Sequence, residues 1–173
     1  MKNGRSISSR SSGCGEPKPG GASRGFEDMY RIRAVDGHDE DVADTLADIH
    51  RLTFFEMAAV PNFDHGHWWL AYRDSTPVGF AGVIPSTHAH NAGYFFRVGV
   101  LRNHSGNKLQ LRLMRAMEAQ ARRNGWSAVV SDTTDNTTSA NNFIRAGYRL
   151  YRPKNPWAWP QTLYWYKSMQ RSK

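Results

Sequence analysis

The sequence predicts a mixed α/β fold: a central, mostly antiparallel sheet of six to seven strands, flanked by about four helices. Three observations predict it. Short runs of alternating or apolar residues, separated by turn residues, read as strands. Two of these runs flank Asp74-Ser75-Thr76-Pro77 and read as a hairpin. Amphipathic segments lie between other runs, where crossover helices belong. Hairpins mixed with crossovers indicate a mixed sheet covered by helices.

The elements follow in order. Residues 30–35 (YRIRAV) alternate as a strand. Residues 39–54 carry Val42, Leu46, Ile49 and Leu52 near helical spacing, with Asp36 or Asp39 as candidate caps. A second short helix is expected over residues 53–60, ended by Pro61. Residues 68–73 and 78–84 are the hairpin strands, and 85–91 form a loop. Residues 93–101 are a third long strand. Residues 109–124 form a strong helix, with Leu109, Leu113 and Met117 on one stripe and Gly125 as its stop. Residues 128–131 are a short apolar strand, buried on both faces. Residues 138–146 are a helix closed by Gly147, and residues 148–152 and 163–167 are the last strands. The loop between them holds Pro153, Pro156 and Pro160.

Composition bounds the rest. The chain has 173 residues, enough for one domain with a sizeable core. Residues 1–28 are rich in Gly, Ser, Pro and Arg and poor in large apolar residues, so a disordered basic tail is expected before a domain over 29–173. No run of 18 apolar residues or secretory h-region is visible, and the single Cys14 has no disulfide partner in the chain. These features give the expectation of a cytoplasmic protein with no membrane contact, as a monomer or homodimer. No zinc-like spacing of Cys and His occurs, so no metal site is expected. The net charge of +8 favours polyanionic partners: nucleic acid, an anionic surface or a phosphorylated cofactor.

One stretch carries chemistry. Residues 98–110 (VGVLRNHSGNKLQ) end an apolar strand, pass a polar loop with Gly106 and open a helix of about four turns. The first N–H groups of a helix lack internal partners and sit at its positive dipole end, which suits a phosphate. Lys108, Arg112 and Arg115 share one face of that helix, either as a basic rim or as a solvated face.

These residues resemble the GNAT family of N-acetyltransferases. The family's cofactor loop reads V-x-P-x-x-R-G-x-G-x-G/A before a helix. Here residues 100–110 read V-L-R-N-H-S-G-N-K-L-Q: Val100 and Gly106 match, Ser105 stands for the arginine, and Lys108 and Gln110 replace later glycines. A second family motif places a tyrosine seven residues after an asparagine and Gly-Phe at eleven and twelve. Here Asn136 is followed by Phe143 at seven and Gly147-Tyr148 at eleven and twelve. The closing YKSM also resembles the family's last strand. Within the family, the chain is similar to bacterial and phage sequences carrying the DTTDN and SAN segments found here at residues 132–136 and 139–141.

The resemblance implies acetyl-CoA as acyl donor and direct attack by the amine of a small molecule or peptide. It implies a pantetheine arm beside Val98, Gly99 and Val100, and a diphosphate on the loop His104, Ser105, Gly106, Asn107, Lys108, Leu109 and Gln110. Asn136 and Phe143 would border the pantetheine arm. Phe143 cannot donate a proton as the family's tyrosine does, so Tyr148, Ser139 or water would serve instead, or the thiol would leave unaided. The amine must lose a proton. Glu56, Asp132 and Asp135 are the candidate bases, and His67 could line the same cleft. Tyr148 completes the candidate catalytic set. The tryptophans either cover the sheet or, in the loop over 153–161, form an aromatic lid over a flat or cationic acceptor. Two rival expectations stand beside the enzyme: a binding module with impaired catalysis, and a nucleic-acid-directed protein of the same fold.

Overall fold

The computed structural model describes residues 29–54 and 58–170. The expected tail over 1–28 therefore lies outside the described residues; so do residues 55–57 of the expected second helix, and of the rest Thr53 ends α1 while residues 54 and 58–60 are not helical. The described residues form seven strands and three α-helices: β1 (Tyr30–Val35), α1 (Glu40–Thr53), β2 (His67–Arg73), β3 (Thr76–Pro85), β4 (Ala92–Val100), α2 (Leu109–Arg123), β5 (Ala128–Thr133), α3 (Thr137–Arg145), β6 (Arg149–Leu150) and β7 (Leu163–Ser168). A short 3₁₀ turn, Arg102–His104, joins β4 to α2.

The strands form one sheet in the order β1-β2-β3-β4-β5-β7-β6. Every neighbouring pair is antiparallel except β4 and β5, which are parallel and joined by the α2 crossover. The β4–β5 pairing covers three positions only: Ala92↔Ala128, Gly93↔Val129 and Tyr94↔Val130. Beyond them the two strands part. β3 continues to pair with β4 as far as Val100, and β7 with β5 as far as Thr133. A wedge thus opens in the middle of the sheet. Residue Phe96 is extra in the β3–β4 register, since Gly82 pairs with Arg97 and Val83 with Phe95. Such a bulge bends a strand and re-aims its side chains. Ser131 Oγ donates to the Phe95 carbonyl (3.0 Å) where the wedge begins.

Helix boundaries follow local chemistry. Asp39 caps α1, its carboxylate accepting from Val42 N (3.2 Å), and Asn136 caps α3 by accepting from Ser139 N (2.8 Å). Two apolar layers hold the helices to the sheet. One unites Trp69, Val83, Leu113, Met114, Met117, Phe143 and Trp165 beneath α2 and α3. The other unites Leu46, Ile49, Trp68, Leu70 and Phe80 beneath α1. Adjacent Trp68 and Trp69 serve opposite layers, as the two-residue period of a strand requires. Gly99 lets α1 approach β4: a Cβ there would overlap Thr53 Oγ1 and the Phe80 ring.

Two expectations about the strands needed adjustment. The hairpin turn is tighter than read, with Arg73 already paired to Thr76 and Asp74 in the left-handed region at φ 56°. Pro77 is tolerated inside β3 because it faces the register shift at Ala71/Tyr72. β6 keeps two residues of the five expected, because Tyr148 packs into the core before it and Pro153 follows. Among the described residues no helix is long and apolar enough to cross a membrane.

Candidate functional site

The site begins at the foot of β4. Leu101 leaves the strand, the 3₁₀ turn reverses the chain, and α2 starts at Leu109. Two positive-φ residues shape the loop. Gly106 has φ 84° and Lys108 has φ 57°. An added Cβ at Gly106 would meet nothing within 4 Å, so the backbone there faces open space. Asn107 Nδ2 pins the turn by donating to the His104 carbonyl (3.0 Å). The N–H groups of residues 106–111 have no protein acceptor among the described residues, and no side chain caps α2. A 15-residue helix with a free N-terminus concentrates positive potential there.

A cleft of about 570 Å³ lies against this loop, lined by Tyr30, Gly106, Asn107, Lys108, Leu111, Arg112 and Arg115. Lys108 and Arg115 are exposed at its rim, as the helix-face reading anticipated. Arg112 is turned inward, donating from Nη2 to the Tyr30 carbonyl (2.7 Å) and tying α2 to β1.

Several predicted loop residues take supporting positions. His104 is buried, with Nδ1 3.0 Å from the Tyr30 hydroxyl, so its ring does not line the cleft. The His104 N–H is spent on the Leu101 carbonyl (2.9 Å) and the Ser105 N–H on the Arg102 carbonyl (3.2 Å), so the free amides start at Gly106, two residues into the expected loop. Leu109 is core and offers only main chain. Gln110 points away from the cleft onto α3. Its Nε2 donates to Ser139 Oγ (2.9 Å) and its Oε1 accepts from Asn142 Nδ2 (2.7 Å). With the Asn136 cap, this network fixes the start of α3 against the start of α2. The Asn136 side-chain oxygen is committed to that cap.

At the other end of the wedge stands Asp132. It lies just past the last β4–β5 pair, and two side chains hold one of its oxygens. The Tyr94 hydroxyl and Trp157 Nε1 both donate to Oδ1, at 2.5 and 2.9 Å. Oδ2 has no protein donor among the described residues. Burial, then the Asp132 charge, pushes the Tyr94 phenol above its ordinary range. Trp157 comes from the proline-rich loop before β7 and stacks on His88 from the loop before β4 (4.1 Å, 9°). His88 also meets the Tyr94 ring edge-on (5.1 Å). The aromatic loop thus brackets Asp132, while Trp159 stands exposed. Tyr151 lies near the same carboxylate, and burial raises its phenol to about 12.

The remaining candidates are elsewhere. Glu56 lies outside the described residues. Phe143 is 2% exposed, stacked on Trp165 (5.3 Å) and edge-on to Tyr148 (5.0 Å), so it is core rather than a cofactor contact. Tyr148 is 4% exposed with its hydroxyl beside Glu118. Glu118 is nine residues into α2, about 13 Å along the axis from its start. Burial pushes the Tyr148 phenol well up, and the Glu118 charge adds to that. Lys167 pairs with Glu118 (2.8 Å) and donates to the Ala146 carbonyl (2.6 Å), closing that region. Tyr148 is therefore a core residue whose ring meets Phe95 (5.7 Å) at the start of the wedge, with its hydroxyl buried on the Glu118 side. His67 sits 3.1 Å from Asn124 Nδ2, at the far end of α2 from the loop. Asp135 is a left-handed turn residue before α3, at φ 51°.

Sequence reasoning missed Tyr94, Arg97 and the Trp157–Asp132 bond. Each depends on which strands are neighbours, and no local spacing signals that.

The described residues thus form an open sheet parted between two parallel strands, with a free helix N-terminus at the foot of the parting. Residues 27–148 match the acetyltransferase (GNAT) family, and the chain belongs to it. Members of this family are N-acetyltransferases that draw on acyl-CoA. A comparison with curated proteins finds no match. Among solved structures, the chain is similar to an aminoglycoside 6'-acetyltransferase type Ii (TM-score 0.67, 18% identity, 83% of this chain and 99% of that one). It is also similar to the ribosomal-protein-S18-alanine N-acetyltransferase of Escherichia coli (TM-score 0.66, 9% identity, 84% and 97%). A third is the IAA acetyltransferase of Bacillus cereus (TM-score 0.62, 11% identity, 80% and 99%). At these identities the likeness is one of fold.

Proposed function

We propose that this protein is an acetyl-CoA-dependent N-acyltransferase acting on a primary amine, with the β4–β5 wedge as its active site. The observation that carries the reading is the wedge with its six free amides at residues 106–111. Those amides, with Lys108 beside them, would hold the diphosphate, and the unpaired edge of β4 over residues 95–100 would pair with the amide groups of the carrier arm. The use of main chain explains why Lys108 and Gln110 can replace glycines: neither side chain occupies the anion position.

When bound, the thioester supplies an activated acyl carbon. Asp132 is the base, since Oδ2 is free to take the amine proton while Tyr94 and Trp157 orient the carboxylate through Oδ1. The amine nitrogen forms the new bond to carbon, the carbon–sulfur bond breaks, and the sulfur leaves as thiolate. Phe143 offers it no proton, and none of strong acidity is required, because a cysteine-like thiol ionises near pH 8.5 and is a fair leaving group. A backbone N–H on the free edge of β4 is the donor for the carbonyl oxygen.

Calorimetry with acetyl-CoA tests the reading, and no heat of binding at millimolar ligand would refute it. Asp132→Asn is expected to lower kcat by about a hundredfold or more while acetyl-CoA still binds. Phe143 motivates a second reading, a binding module without turnover. Robust acetylation of any amine in an acceptor screen would remove that reading. Localisation in the cytoplasm and a small-molecule or peptide acceptor remain part of the proposal.

A further inference from the structure

The α1 side of the wedge holds a cation with no ion-pair partner among the described residues. Arg97 follows the bulge at Phe96, and its guanidinium lies 4.3 Å from the Phe96 ring centre and 5.4 Å from that of Phe54. Nη1 donates to the Phe96 carbonyl (3.1 Å), and Nε is buried with no acceptor among the described residues. None of the ion pairs among the described residues includes Arg97. Removing a guanidinium from water without a counter-ion is unfavourable, and such a group is normally paired. His50, 1% exposed, lies against the same Phe54 ring (4.7 Å), and neither ring nitrogen has a partner among the described residues. Three orphaned buried nitrogens therefore gather around Phe54, at the end of α1 and beside the wedge.

Asp132 accepts from the Tyr94 hydroxyl, the Tyr94 ring lies 5.9 Å from that of Phe96, and Arg97 lies over Phe96, yet Asp132 and Arg97 form no ion pair. The wedge thus presents a carboxylate and a guanidinium linked through Tyr94 and Phe96, each with unused hydrogen-bonding capacity among the described residues. We propose that the acceptor is a zwitterion: a primary amine bearing a carboxylate, with its ammonium directed to Asp132 and its carboxylate to Arg97. This rests on the acyltransferase reading above and adds the class of acceptor.

Charge and geometry favour that occupant. A planar guanidinium matches a carboxylate through paired donors. A phosphate dianion would meet the Asp132 carboxylate as well as Arg97, and a polycation would meet the Arg97 guanidinium as well as Asp132. The aromatic walls of Phe54, Phe96 and Tyr94 suit an apolar body between the two charges.

The test uses matched pairs that differ only in the carboxylate: alanine with ethylamine, phenylalanine with phenethylamine, tryptophan with tryptamine. Calorimetric binding of each is measured on the full chain, with and without saturating CoA, for wild type, Arg97→Gln and Arg97→Lys. At least one carboxylated member is expected to bind wild type about tenfold or more tighter than its partner, the scale of a charged hydrogen bond. Arg97→Gln should bring that ratio to within about twofold, and Arg97→Lys should keep part of it. Acetyl-CoA affinity should be equal in all three proteins, which also shows that the variants fold. A ratio near one for every pair in wild type, or a ratio that survives Arg97→Gln, overturns the proposal. Failure of acetyl-CoA to bind wild type overturns the acyltransferase reading instead, and the pair ratios measured without CoA still decide the carboxylate site.

Discussion

Gly106→Asp separates ligand binding from folding, because the structure gives the two effects different sizes. The folding cost is small. Gly106 has φ 84°, and left-handed backbone costs most side chains about 1–2 kcal/mol, less for Asp, which can bond locally there. No atom lies within 4 Å of the new Cβ, so no clash adds to this. A carboxylate near the uncapped start of α2 returns about 0.3–1 kcal/mol through the helix dipole. The net change is about 1 kcal/mol or less, or a fall in Tm of about 2–4 °C for a domain of this size. The binding cost is larger. A carboxylate about 5 Å from one phosphate charge repels it by about 3 kcal/mol at an effective dielectric of 20. Salt trims this, and the aspartate also competes for the free amides. Acetyl-CoA affinity should therefore fall about a hundredfold while the fold survives. Calorimetry and thermal melts on the same preparation read both quantities. A folded Gly106→Asp protein that binds acetyl-CoA within about threefold of wild type would show that the diphosphate does not sit on this loop.

Three further outcomes follow from individual side chains. Lys108→Gly should raise Tm by about 2–4 °C by relieving left-handed strain at φ 57°, while weakening acetyl-CoA by no more than about fivefold at physiological salt, since the lysine is exposed. Phe143→Tyr, which restores the family's usual residue, should cost about 1–3 kcal/mol in denaturant melts and give no gain in kcat, because the new hydroxyl enters a core stacked on Trp165. His50→Leu should flatten the loss of stability on the acid side. Burial, then Arg97 and Arg51, lowers the folded-state pKa of His50 below its ordinary 6.5. The unfolded chain takes up a proton below that pH and the folded chain resists it, so stability is full above pH 6.5 and falls as pH drops through the folded value. Melts of wild type and variant from pH 8 to pH 5 should diverge only toward pH 5.

The sequence made one end of the site legible and left the other obscure, for a physical reason. The anion loop is contiguous: Val100, Gly106 and the start of α2 lie within about ten residues, and strand-to-helix handover is a local pattern. α1, α2 and β1 were legible to within a residue or two because caps and stops such as Asp39 and Gly125 are local as well. The acceptor end is built from β4, β5 and the loop before β7. Asp132 could be singled out as a strand-end acid, but Tyr94 and Trp157 reach it across 38 and 25 residues. Tyr148 failed as a candidate for the same reason. Its place in a motif says nothing of the Glu118–Lys167 pair that encloses it.

This difference bears on how the chain departs from its family. Main-chain recognition tolerates substitution wherever the replacing side chain has somewhere else to go. Gln110 has α3, through Ser139 and Asn142, and Lys108 has solvent. Gly106 has neither: its Cα faces the cleft itself, and it is the loop glycine retained. Acceptor recognition uses side chains, and there the replacements change the chemistry. Phe143 moves into the core and takes a proton donor from the thiol side. Arg97 and Asp132 place opposite charges across the amine side. On the proposed reading, the donor half of the reaction is carried by backbone geometry and the acceptor half by the side-chain charges of Arg97 and Asp132.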